Sequence, residues 1–183
     1  MRPHRVNILG ASGCGATTLA RAVAAALGVP HFDVDDYYHL PTDPPFQAQR
    51  DPQDRHDLLV TDLGRSPGWA LSGGLAGWSP YPRLDLSLMV FLWVPADVRM
   101  ERLRQRERAR YGARVLPGGD MHAASEDFLA WASRYDAGDV DGKTRARHEA
   151  YLAEQVCPVL RIEGAVSTPD ALARVVARIG RPS

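Results

Sequence analysis

The residues Gly10-Ala11-Ser12-Gly13-Cys14-Gly15-Ala16-Thr17-Thr18 have types and spacing suited to holding a chain of phosphates. They follow the apolar run Val6-Asn7-Ile8-Leu9 and lead into a helix-like segment, Leu19 to Leu27. Glycines let the backbone bend so that successive N–H groups converge. The helix that follows adds the positive end of its dipole, so an anion is gripped mainly by main chain. The pattern G-x-x-x-x-G-K-[ST] is complete except at the lysine, where Ala16 stands. Gly10 and Ser12 to Thr18 are therefore candidate nucleotide contacts. Thr17 is placed to bind Mg²⁺ through its hydroxyl, and Thr18 to contact the first phosphate.

What is missing is a point charge. A lysine ammonium about 4 Å from a phosphate oxygen contributes roughly 4 kcal/mol at an effective dielectric of ~20, so without a substitute cation phosphoryl transfer is feeble. Lys143 is the only lysine in the chain, so the substitute is Lys143 or an arginine. Arg21 is a poor one, lying roughly 140° around the helix from Ala16.

Three acids follow at Asp33-Val34-Asp35-Asp36-Tyr37-Tyr38. Phosphoryl transfer needs one acid to hold Mg²⁺ and another to orient or deprotonate the accepting hydroxyl. In an extended chain, alternation puts Asp33 and Asp35 on one side and Asp36 on the other. Asp33 is accordingly assigned to the metal and Asp35 to the acceptor; the competing role for Asp35 or Asp36 is to cap the next turn. Downstream, Leu71-Ser72-Gly73-Gly74 either lets a ligand approach the backbone at Gly73 and Gly74 or makes a plain turn. Between these segments lies a proline-stiffened loop, His39 to Phe46. Phe46, Tyr37 or Tyr38 would wall an acceptor there, and Arg50 or Arg55 would meet an anionic group on it.

Arg99, Arg102, Arg106 and Arg110 are spaced by three, four and four and share one helix face. Such a face clamps polyphosphate and stabilises charge during transfer; Glu101 and Glu107 allow an ion-paired, solvated helix instead. Arg145 and Arg147 return a second pair of cations. Cys14 either has a lowered pKa at the helix end or is simply small enough to fit. No histidine pairs with cysteine as a zinc site requires, and no S-x-x-K or G-x-S-x-G pattern supports a serine hydrolase.

The elements that must position these groups alternate in type. Five segments read as buried parallel strands: Val6–Leu9, His31–Val34, Trp69–Ser72, Ser87–Val94 and Pro158–Ile162. Helix-like stretches lie at 16–27, 51–64, 96–111, 124–136, 143–155 and 168–180. This predicts an open α/β sheet with the site at the carboxyl ends of the strands. The segment 110–142 exceeds a minimal unit and reads as an insertion hinged at Gly118-Gly119 and at Asp136 to Asp139. At 183 residues the chain fits one domain. Its formal net charge of +0 gives no field to draw nucleic acid or an anionic membrane, so neither is expected as a partner. Two cysteines make no disulfide framework, and a thiol in a phosphate loop suits a reducing compartment. Without a secretory signal or a long apolar span, the chain reads as cytoplasmic, a monomer or homodimer.

Taken together, Gly10–Thr18, Asp33-Val34-Asp35, Ser72-Gly73-Gly74, Arg102-Leu103-Arg104-Gln105-Arg106 and Arg145-Ala146-Arg147 resemble the nucleoside monophosphate kinase and shikimate kinase group of P-loop kinases. The resemblance covers nearly the whole chain and departs from the group at Ala16. It implies a five-stranded parallel sheet in order 2-3-1-4-5 with helices on both faces. It also implies a substrate region at about 36–65 and a helical lid at about 108–142. From it come Arg102 on the adenine, Arg106 and Arg145 on phosphates, Gly164 beside the base, and ATP with Mg²⁺ acting on a small-molecule acceptor. The segment Asp35-Asp36-Tyr37-Tyr38 is similar to that of uridine kinase-like proteins, which again selects Asp35. The activity implied is ATP-dependent phosphoryl transfer; the alternatives are a catalytically weak or inactive nucleotide-binding module and a slow NTP hydrolase.

Overall fold

The computed structural model describes residues 3–180. In it, strands β1 (Arg5–Gly10), β2 (His31–Asp33), β3 (Trp69–Ser72), β4 (Leu88–Trp93) and β5 (Val159–Glu163) form one all-parallel sheet in the order β2-β3-β1-β4-β5. Seven helices accompany it: α1 (Ala16–Leu27), α2 (Val34–Tyr38), α3 (Pro52–Gly64), α4 (Ala96–Tyr111), α5 (His122–Ser133), α6 (Arg145–Ala153) and α7 (Thr168–Ile179).

The period of two along the central strands explains why both faces are covered. In β1 and β4, Val6, Ile8, Leu88, Val90 and Leu92 point to one face. They pack there with Leu19 and Val23 of α1 and with Ala171 and Val175 of α7. Leu9, Met89 and Phe91 point the other way and join Leu59 and Leu63 of α3 and Tyr151 and Leu152 of α6. A continuous apolar strand such as Leu88–Trp93 is stable only between two such layers.

Helix starts follow local chemistry. Asp51 caps α3, its carboxylate accepting from the N–H groups of Gln53 (2.8 Å) and Asp54 (3.4 Å), with Pro52 in the first helical turn. Thr144 caps α6, so this helix begins at Arg145 rather than at residue 143. α7 is capped by Ser167, one residue before the Thr168 that its Thr-Pro-Asp run suggests.

The segment 112–142 is a short 3-10 turn (Gly112–Val115) followed by α5, which packs on α4 through Met100, Leu103 and Ala132. α5 stops at Ser133, before the expected residue 136, because the next side chains are drawn elsewhere. The Tyr135 hydroxyl bonds His148 Nδ1 at 2.9 Å, and the Asp136 carboxylate accepts from Trp93 Nε1 at 2.9 Å and Arg99 Nη2 at 2.8 Å. The two expected hinges are accordingly not free. A Cβ on Gly119 would lie 2.2 Å from the Arg114 carbonyl, so this glycine permits close backbone packing, and Asp136 is tied to the body of the protein.

Candidate functional site

The loop between β1 and α1 depends on its glycines. Gly13 and Gly15 have φ of 81° and 94°, a region that side chains disfavour. A Cβ on Gly13 would sit 2.7 Å from the Arg99 carbonyl oxygen, and one on Gly10 2.3 Å from that of Leu92. α1 opens at Ala16 with neither a side-chain cap nor an acid in its first turn, so its leading N–H groups are left for an anion. Cys14 is buried, and burial pushes its thiol pKa up, not down as the helix dipole alone suggests.

Thr17 Oγ1 donates to Asp33 Oδ2 at 2.9 Å, and Asp33 Oδ1 accepts from the Asp35 N–H at 3.1 Å. The second bond makes Asp33 the cap of α2, so the chain is helical from Val34 onward. The alternation expected for Asp33 and Asp35 therefore does not hold, and Asp35 is carried on the first turn of a helix. Thr17 and Asp33 form a pair of hard oxygen donors. Mg²⁺ takes one or two carboxylates and completes its shell with water and phosphate oxygens, so this donor set fits it. Among the described residues no group of three or more His, Cys, Asp or Glu could hold a metal by itself.

Two hollows flank the loop. The smaller, about 160 Å³, is bounded by Gly15, Thr18, Arg102 and Gly164; Arg102 Nη1 lies 3.4 Å from the Gly13 carbonyl. The larger is a cleft of about 660 Å³ at the carboxyl ends of the strands. Ser12, Asp35, Gly73 and Gly74 form its floor, Tyr38, Arg55 and Trp78 one wall, and Arg106, Arg110 and Phe128 its roof. Lys143, Arg147 and His148 close the rear. The roof meets the loop of residues 40–50, where the Arg110 guanidinium stacks 4.6 Å from the Phe46 ring centre and Tyr111 Oη donates to the Pro45 carbonyl at 3.4 Å.

Arg55 is the most unusual member of this wall. It is only 8% exposed, its guanidinium lies 4.5 Å from the Tyr38 ring centre and 4.8 Å from that of Trp78, and among the described residues Nε has no hydrogen-bond partner. Aromatic faces offset part of the desolvation of such a cation, but an anion is what balances it. At the rear, His148 is 2% exposed. Burial pulls its pKa from 6.5 to about 4, with the charge of Lys143 acting in the same sense, so the imidazole is neutral. Its Nε2 lies 3.1 Å from where a Cβ on Gly74 would be, which makes glycine the residue that leaves that nitrogen room. Partial burial and the neighbouring Arg110 hold the Arg106 pKa below its ordinary value, and Asp36 is raised by burial and by Asp33 and Asp35.

Not every expected residue reaches the cleft. Arg50 turns back, its Nε donating to the Tyr37 carbonyl at 3.1 Å, and Arg145 stacks 5.2 Å from the Trp93 ring centre; neither lines the cleft. Arg99, expected on the same face as Arg102 and Arg106, is fully buried. It donates to the carbonyls of Val94 (3.0 Å), Ser12 and Ala132 (both 3.4 Å) and pairs with Asp136. Trp78 and His148 escaped the sequence reading. The signal for Trp78 was an aromatic four residues past the glycine pair; for His148 it was a histidine one residue beyond Arg145-Ala146-Arg147.

A family model described as an AAA domain matches residues 6–123. A Bacillus subtilis (strain 168) protein, YqaC, described as uncharacterized, is 43% identical over 171 residues, covering 93% of this chain and 94% of that one. Among solved structures, a gluconokinase from Sinorhizobium meliloti 1021 superposes with a TM-score of 0.52 at 17% identity, covering 98% of this chain and 93% of the other. A shikimate kinase from Bacteroides thetaiotaomicron gives 0.50 at 21%, covering 97% and 99%. At these identities the structural likeness is one of fold: a parallel sheet in the order found here, with helices on both faces, as in P-loop kinases.

Proposed function

The chain belongs to the AAA domain family, and on that premise we propose that it is an ATP-dependent phosphotransferase acting on a small, anionic, hydroxyl-bearing metabolite. One observation carries this reading: Asp35 and the unpaired, aromatic-flanked Arg55 line the same cleft as Ser12 of the phosphate loop. An acceptor whose anionic group meets Arg55 would bring a hydroxyl toward Asp35, with the phosphate loop alongside.

In this mechanism the main-chain N–H groups of the loop and of the first turn of α1 hold the polyphosphate, while Arg102 and Gly164 border the base. Thr17 and Asp33 are the residues that would hold Mg²⁺, which when bound neutralises charge on the phosphate oxygens. The Asp35 carboxylate orients the acceptor hydroxyl and takes its proton as the bond to phosphorus forms. Arg106, in the roof, stabilises charge on the phosphoryl group in transit. The segment 108–142 acts as a lid that excludes water, so that transfer to the acceptor outruns hydrolysis.

Ala16 favours a second reading, a module that binds nucleotide without transferring phosphate. Turnover of MgATP with a panel of small hydroxy acids, sugar acids and phosphorylated sugars, measured beside MgATP binding, separates the two. Acceptor-dependent ADP release supports the kinase; tight binding with no turnover across the panel supports the module.

A further inference from the structure

Ala16 leaves the phosphate loop without a side-chain cation, and its methyl packs against the core beneath the sheet's first helix. A triphosphate held by amides alone would keep most of its charge unmatched, so where a replacement cation comes from decides what the site can do.

Each roof arginine has the Glu107 carboxylate beside it, so Arg106, assigned above to the phosphoryl group in transit, brings only part of its charge to the phosphates. Arg106 Nη2 lies 3.8 Å from the Glu107 carboxylate and Arg110 Nη1 4.0 Å from it. Arg147 pairs with Asp141 at 3.8 Å and donates to the Gly142 carbonyl at 3.1 Å. Lys143 differs: it lines the cleft with Ser12 and Asp35, and among the described residues it has neither an ion-pair nor a hydrogen-bond partner. We propose that Lys143 is the missing cation, delivering its ammonium to the terminal phosphates of MgATP from the rear of the cleft instead of from position 16. This rests on the kinase reading of the site.

Two further observations support it. The backbone carrying Lys143 is held on both sides: Trp131 Nε1 donates to the Asp141 carbonyl at 2.9 Å, the Arg145 N–H to that of Tyr135 at 2.9 Å, and buried Thr144 caps α6. With the backbone held at both ends, no loop has to be ordered before the ammonium engages a ligand; the side chain's own rotamer freedom is the remaining cost. Its charge is also felt across the cleft. Lys143 is the leading charged influence on both the Cys14 thiol in the loop and the His148 ring at the rear, lowering the proton affinity of each. The ammonium is therefore within Coulomb range of both the loop and the rear of the cleft that it lines. An ammonium is a compact point charge whose three donors can follow phosphate oxygens as they move, which a planar guanidinium wedged beside Glu107 cannot do as freely.

The test is calorimetric binding of magnesium-bound AMP-PNP, a non-hydrolysable ATP analogue, and of AMP to wild type, K143M and A16K/K143M, with thermal unfolding recorded for each. Loss of one charge-assisted contact should weaken AMP-PNP binding in K143M by about tenfold or more. AMP, lacking the terminal phosphates, should change by no more than about twofold, and the lysine of A16K/K143M should restore most of the lost affinity. Binding of AMP-PNP by folded K143M within about twofold of wild type overturns the proposal, as does an equal loss for AMP. Wild type that binds no magnesium nucleotide overturns the kinase reading itself, a result distinct from either.

Discussion

Acidification tests the packing around His148 without requiring any knowledge of the substrate. The ring is buried against Phe91, with its Nδ1 at 2.9 Å from the Tyr135 hydroxyl, and its pKa of about 4 stands against 6.5 for an exposed histidine. Because the native value is the lower, the unfolded chain binds the extra proton between these limits. The stability is fully present above 6.5 and lost as pH falls toward 4. Each pKa unit corresponds to about 1.4 kcal/mol, so the loss is about 2 kcal/mol by pH 5 and about 3 kcal/mol in full. Urea unfolding of wild type and His148→Gln at pH 7.5, 6.5, 5.5 and 5.0 measures it. The variant carries its own constant penalty, but the gap between the two proteins should shrink by about 2 kcal/mol from pH 7.5 to 5. Parallel curves would mean that His148 takes up its proton as readily in the folded protein as in the unfolded chain, and the rear wall of the cleft as described would be wrong.

Three other substitutions bear on the site. Asp35→Asn should abolish phosphoryl transfer while MgATP binding, measured by calorimetry, stays within about twofold, since Asp35 is assigned to the acceptor alone. Arg55→Met should raise the acceptor KM by about tenfold or more, the value of one charge-assisted bond. Its melting temperature should hold or rise, because an unpaired cation leaves the interior; a fall of several degrees would point to an anion within the protein that balances it. Gly13→Ala forces a Cβ to 2.7 Å from the Arg99 carbonyl at a φ of 81°. It should cost about 1–3 kcal/mol in urea unfolding and weaken nucleotide binding with it.

The sheet and its phosphate loop were legible because their signals are local: five apolar runs, and glycines at fixed offsets before a helix. Strand order came from the resemblance, and the sheet follows it. The acid cluster was harder. Three carboxylates after a short strand read as extended until one side chain, that of Asp33, bonds the N–H two residues on and starts a helix, a competition that propensity does not resolve. Arg99 was misread for a different reason. A cation in a run of charges belongs in solvent unless carbonyls converge on it, and those of Val94, Ser12 and Ala132 come from segments far apart in the chain. Arg55, one of two candidates by sequence, is singled out by the tertiary placement of Trp78 and Tyr38.

The buried Arg99 guanidinium has a mechanical consequence. By gripping Ser12 of the phosphate loop, Val94 after β4, and Ala132 and Asp136 at the end of α5, it welds the root of the roof to the body. The chain just past Asp136, which carries Lys143, is thereby fastened to the same framework as the phosphate loop.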